Sequence, residues 1–116
     1  MTRAQRNHNP GNLRFAKQLE ATGKDDMGFA VFPDDPAGFR ALAAQIRLDA
    51  NRGLTLGQFI AKFAPPTEND TNAYGDYLCS IAPTELRPRA KEIPLKVFNE
   101  WALAGMIAHF EGWTKK

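Results

Sequence analysis

Residues 94–112 read PLKVFNEWALAGMIAHFEG, and how this stretch folds decides the architecture. Val97, Phe98, Trp101, Ala102, Ala104, Met106, Ile107, Ala108 and Phe110 occupy nearly every angle of a 3.6-residue helix, so the spacing predicts one long helix from Pro94 with little polar surface. A helix apolar nearly all round belongs in an interior, with the other elements packed about it. Its end breaks a local rule. The carboxyl end of a helix carries about half a negative charge and favours Lys or Arg, yet Glu111 stands there. Such violations gather at functional or strained positions. Wedged between Phe110 and Gly112, with Trp113 next, the carboxylate is expected to be partly desolvated and to feel the helix terminus. Both effects favour its protonated form, which suits a general acid. The plainer alternative is a glutamate near a chain end that faces solvent or pairs with Lys115.

Outward from this helix, DDPAGFRALAAQIRLDANRG at 34–53 predicts another, with Asp35 as N-cap, Pro36 at its first position and Gly53 as terminator. Phe39, Leu42, Ala43, Ile46 and Ala50 form its apolar face. Thr55 caps a shorter helix over LGQFIAKFA, which ends against Pro65 and Pro66. A fourth is expected from about Thr71 to Ala82, with Tyr74, Leu78 and Ile81 on one side. Nearer the start, RNHNPGNLRF is turn chemistry leading into a short alternation at Leu13 to Phe15. The FAVF run, Phe29 to Phe32, reads as its hairpin partner. Phe29 and Phe32 read as core residues in preference to a sugar-binding platform. The expected fold class is mainly α, with a small amino-terminal β-hairpin (α+β), in one domain spanning residues 1–116.

Composition limits the function classes. The chain has 116 residues, 43% hydrophobic and 24% charged, which fits one modest core. Fifteen basic and thirteen acidic side chains leave a net charge of +2, spread along the length. That lacks the concentrated basic footprint duplex DNA demands, although the RPRAK run at 87–91 keeps a nucleic-acid reading open. The one cysteine, Cys79, excludes an internal disulfide and a cysteine-based zinc site and points to a reducing compartment. His8 and His109 have no third ligand at metal spacing, so no metal and no cofactor are expected. No run approaches the roughly 18 apolar residues of a membrane span, and the opening MTRAQRNHNPGN lacks the apolar core of a signal peptide. Synthesis in a cytoplasm without membrane insertion is the expectation.

The segment MIAHFEGW at 106–113 resembles the helix end of lysozymes and lytic transglycosylases, where an apolar helix finishes in Glu before a small residue. In those families the segment lies near the start of the domain. In glucosaminidase-type members of the lysozyme-like superfamily, that helix leads into an Asn-rich turn, a short strand and a hairpin bearing aromatic residues. NPGNLRF at 9–15 and GFAVFPDDPAGFRAL at 28–42 are similar to that succession. ENDTNAYGDYL at 68–78 resembles the loop lining the far side of their clefts. The order implies a circular permutation. RNxNPGNLR, FxVFxxPxxGxRAL, APPxENDTxAY and a terminal HxEG together also resemble a group of small bacteriophage and prophage virion-associated proteins, along nearly the whole chain. Those proteins more often read HENG where this chain has His109, Phe110, Glu111 and Gly112, which moves the acid one position.

The resemblance implies a lysozyme-like domain that cleaves the β-1,4 glycosidic bond of peptidoglycan. Glu111 would protonate the leaving oxygen. It assigns substrate contact to Asn9, Asn12, Arg14, Asp25, Asp26, Asn69, Thr71, Tyr74 and Trp113. Asp25 and Asp26 are the first candidates for a second acid, with Glu68 and Asp70 behind them. A single glutamate acting first as acid and then as base suits a lytic transglycosylase. The implied partners are glycan strands and other virion proteins, with assembly into a virion after synthesis in the host cytoplasm. A non-catalytic virion protein that keeps the fold and grips glycan is the alternative. By residue type alone, Asn9 to Gly11 can equally be a turn closed by an Asx hydrogen bond, and Asn12 is as open to a structural as to a ligand role.

Overall fold

The computed structural model describes residues 1–63 and 91–113. The chain is mainly helical with one small antiparallel sheet. In order come α1 (Arg3–Arg6), β1 (Gly23–Lys24), β2 (Ala30–Val31), α2 (Asp35–Asn51), α3 (Leu56–Phe63), a 3-10 turn (Leu95–Val97) and α4 (Glu100–Phe110). Two compact units divide the chain: residues 1–45 with 101–116, and residues 46–100.

The first unit opens with α1, which the sequence patterns did not predict. Thr2 and Gln5 form a capping box, each side chain receiving the other's backbone N–H. The helix stops when His8 turns left-handed at φ 51°. His8 N–H then bonds to Gln5 O and Asn9 N–H to Ala4 O, the two-bond pattern of a Schellman stop. The hairpin is also richer than expected. Phe29 to Phe32 has partners along both edges: Thr22 N–H and Asp25 N–H donate to Val31 O and Phe29 O on one side. On the other, Ala30 N–H donates to Leu13 O and Phe32 N–H to Asn7 O. The strand predicted at Leu13 to Phe15 therefore contributes one bridge, Arg14 to Phe29, while β1 and β2 form the ordered sheet.

Between those edges Asn9 acts as a backbone substitute. Its Nδ2 donates to Leu13 O and Ala30 O, its Oδ1 accepts from Leu13 N–H, and the residue is fully buried. Ala30 and Phe32 pack on Ala37 of α2, with Phe15, Ala21 and Ala41 around them. Full burial of a side chain such as Phe32 stabilises by about 1.5–3 kcal/mol. The N-cap of α2 is Asp34, whose Oδ1 accepts from Ala37 N–H at 2.9 Å. This corrects the assignment to Asp35, which instead meets His8 Nδ1 at 3.0 Å.

The long terminal helix is the main correction. Pro94 is extended, Leu95–Val97 is a single 3-10 turn, Phe98 is extended again, and α4 begins only at Glu100. Leu95 N–H donates to Leu54 O, and Ile93 O accepts from Leu56 N–H. These backbone groups are spent on a neighbouring segment, and tertiary pairing overrides a periodicity that a helix alone would satisfy. Nor is α4 buried all round. Leu103, Ala104, Ile107 and Ala108 are buried. Ala102, Gly105 and His109 are exposed, and Trp101, expected in the core, is 51% exposed.

In the second unit, α2 ends as its sequence foretold. Gly53, at φ 82°, donates its N–H to Ala50 O, and Leu54 N–H reaches Asp49 O. Thr55 and Gln58 form the capping box of α3. Leu56, Phe59, Ile60, Leu95 and Ile46 are buried. Asp49, only 1% exposed, is neutralised by Lys62 Nζ. Arg47 forks onto both oxygens of Glu100. Of the apolar face predicted for α2, Leu42, Ala43 and Ile46 are buried, and Phe39 and Ala50 partly so.

Candidate functional site

The turn after α4 carries the acid. Gly112 N–H donates to His109 O and Trp113 N–H to Ala108 O, with Gly112 at φ 84°, so residues 108–113 form a Schellman stop and Glu111 is its C-cap residue. The acid stands one residue beyond the helix but is still tied to it, its N–H donating to Ile107 O, and the glycine after it turns the chain away. The same motif ends α2 with Arg52 in the equivalent place, the charge a helix terminus favours. At α4 the charge is reversed. Glu111 is half-buried. The turn is held on both sides: Thr2 Oγ1 donates to Gly112 O at 3.0 Å, and the Trp113 ring meets the edge of Phe39 with centroids 4.8 Å apart at 88°.

Through α1 the turn connects to the hairpin. Asn7, just past α1, donates from Nδ2 to Asp25 Oδ2 at 2.9 Å. Asp25 Oδ1 accepts from Met27 N–H and Phe29 N–H, closing the hairpin loop. The Asn7 hydrogen bond, reinforced by the two backbone donors and the charge of Arg3, holds the Asp25 carboxyl below its ordinary value. The Arg3 and Arg14 guanidinium carbons each lie 4.3 Å from the Phe29 ring centroid. Arg14 also donates to Met27 O.

The predicted residues fall into two groups. Glu111, Trp113, Arg14, Asp25, Asp26, Asn9 and Asn12 belong to the first unit. Asn69, Thr71 and Tyr74 lie outside the described residues, as do Glu68, Asp70, Tyr77, Cys79 and the helix expected over 71–82. Two roles are corrected. Asn9 offers no surface to a ligand, because its amide is committed to backbone groups inside the hairpin. Both Asp25 oxygens are taken up within the loop, Oδ2 by Asn7 Nδ2 and Oδ1 by the Met27 and Phe29 N–H groups, so the carboxylate serves the hairpin turn instead of partnering Glu111. Asp26 is exposed. Asn12 is left-handed at φ 47°, and its buried Oδ1 has no hydrogen-bond partner among the described residues.

Sequence reasoning missed Thr2, Arg3 and Asn7. The capping box TRAQ at 2–5 was the available signal for the first two. Among the described residues no three of His, Cys, Asp and Glu gather as a metal site, and no helix is long and apolar enough to cross a membrane. Compared with models of protein families and with curated proteins, the chain matches none.

Proposed function

We propose that the protein is a lysozyme-like, peptidoglycan-cleaving glycosidase of phage or prophage type, in which Glu111 acts as general acid and then general base. The observation that carries this reading is a half-buried carboxylate at the negatively polarised end of α4, in a turn fixed by Thr2 on one side and Phe39 on the other. The negative end of a helix disfavours a neighbouring negative charge, and a fixed turn gives the acid a set position, both of which suit a proton donor. Because both Asp25 oxygens are bound within its loop, single-acid chemistry fits better than a pairing of Glu111 with Asp25. In that chemistry Glu111 protonates the leaving oxygen, then accepts the proton of the sugar's own 6-hydroxyl as that oxygen closes on the anomeric carbon.

Purified cell walls test the proposal. The wild-type chain is expected to clear them and release muropeptides with 1,6-anhydro ends, and Glu111→Gln to abolish clearing. Undiminished clearing by that variant would remove Glu111 from the mechanism, and reducing-end products would mark a hydrolase. The displaced acid at His109, Phe110, Glu111, Gly112 supports a second reading, a virion component that binds glycan without cutting it. Binding to insoluble wall without muropeptide release is its signature.

A further inference from the structure

We infer that α1 is a conditional strut that sets the position of Glu111, with Asn7, at the end away from Thr2, as a positioning residue for the acid; what the acid does there rests on the glycan-cleaving reading. α1 has four residues, a single turn. Isolated helices shorter than about 12 residues are marginal in water even when built from good helix formers. This one therefore exists by virtue of what holds its ends.

Both ends are held by groups distant in sequence. At the amino end Thr2 caps the turn with Gln5 and donates its hydroxyl to Gly112 O at 3.0 Å. Its methyl lies so close that a Cβ added at Gly112 would meet Thr2 Cγ2 at 2.9 Å. At the carboxyl end Asn7 is 4% exposed. Its N–H bonds to Arg3 O, its carbonyl accepts from Phe32 N–H at 2.9 Å, and its Nδ2 donates to Asp25 Oδ2 at 2.9 Å. Ala4, between the two ends, is fully buried.

Five residues of helical rise span about 7.5 Å, against about 17 Å for the same residues extended. The wound turn fixes that span, so Asn7 held on the hairpin keeps Thr2 over Gly112, and an unwound turn does not. Gly112 follows Glu111, whose own N–H is tied to Ile107 O. The acid thus sits between a bond from α4 and a bond from α1. Losing the second loosens it without touching it.

The test combines amide exchange of the full chain with kinetics on purified cell walls. Arg6 is exposed and belongs to neither cap, so Arg6→Gly weakens the helix and leaves both end contacts in place. Exchange at Trp113 is expected to accelerate about twofold to fivefold, with Thr22, bonded within the hairpin, unchanged. Asn7→Leu is expected to accelerate Trp113 about tenfold. Combined with Thr2→Val it should do no more than the stronger change alone, because both act through one turn. On cell walls kcat should fall in these variants with KM within about twofold of wild type. If Asn7→Leu melts early, Arg6→Gly and its Thr22 control decide the matter. Unchanged Trp113 exchange in Arg6→Gly overturns the inference, and so do additive effects of Thr2→Val and Asn7→Leu or a raised KM with kcat intact. Walls cleared while Trp113 is unmoved sink the strut and leave the glycosidase. A wild-type chain that clears nothing, with Trp113 responding as expected, does the reverse.

Discussion

The hydroxyl of Thr2 donates a hydrogen bond to the carbonyl oxygen of Gly112 across 110 positions of sequence. Thr2 has one hydroxyl proton, and its two acceptors are Gly112 O at 3.0 Å and Gln5 Oε1 at 3.3 Å. Thr2 Oγ1 itself accepts from Gln5 N–H. One side chain therefore starts α1 and latches the turn that presents Glu111.

Thr2→Val keeps the shape and loses both functions. A lost N-cap and one lost hydrogen bond together predict about 1–2 kcal/mol of destabilisation in urea unfolding, while Thr2→Ser should stay within about 0.5 kcal/mol. Amide exchange at Trp113 should accelerate in the valine variant and not in the serine one. Equal exchange in the two would show that the latch does not hold the turn.

Glu111→Gln should abolish wall clearing while the circular dichroism spectrum stays that of the wild-type chain, a loss of chemistry without loss of fold. Arg52→Glu, at the matching position of α2, puts a negative charge at the carboxyl end of a helix and should destabilise by about 0.3–1 kcal/mol in urea unfolding. It also breaks the 3.6 Å pairing with Asp49.

Gly38 lies against the backbone of the amino-terminal turn. A Cβ added there would fall 2.0 Å from His8 O and 2.7 Å from Pro10 Cδ. The carbonyl belongs to a left-handed residue already fixed by its own hydrogen bonds and has nowhere to retreat. Gly38→Ala is expected to cost about 3 kcal/mol, at the upper end for overpacking, with the loss read from chemical denaturation.

Asn9→Ala would remove two donors and one acceptor from a fully buried cluster, stranding Leu13 N–H and the Ala30 carbonyl and leaving the Leu13 carbonyl with Ala30 N–H as its remaining donor. Each stranded group costs about 1–3 kcal/mol, so the variant should be largely unfolded by circular dichroism at 37 °C. A folded Asn9→Ala protein with near-native melting would contradict the structural role given to this residue.

Acid should unfold the first unit partly through Asp25 and Glu20. Asp25 is held below its ordinary 3.8 chiefly by Asn7, and Glu20 below its ordinary 4.5 chiefly by the hydrogen bond from Arg40. A carboxyl depressed on folding contributes stability that is present above its unfolded value and lost as pH falls through its folded value. Stability should therefore decline from just above pH 4.5 downward. Asp25→Asn and Glu20→Gln should each flatten that slope in pH titrations of melting temperature.

Much of this molecule could be read from local chemistry. The Thr55 cap, the Gly53 stop and the buried face of α2 arise from residue type and spacing within a few positions, because the interactions concerned close within one or two helical turns. Glu111 stood out for the same reason, as the wrong charge at a helix end. The capping box at Thr2 and Gln5 was equally legible, though only the tertiary structure shows that the same hydroxyl reaches Gly112.

The sequence by itself determined where helices can start and stop, and that an acid sits at an end that disfavours one. Only the tertiary structure decided that Pro94 to Asn99 does not belong to the α-helix, that Asn9 and Asp25 serve the backbone, and that Arg3 and Arg14 both lie over Phe29. Capping and periodicity are settled by neighbours along the chain. The fate of Leu95 N–H or the Asn9 amide depends on which distant backbone group arrives first to bond it, and such a partner leaves no mark in the local sequence.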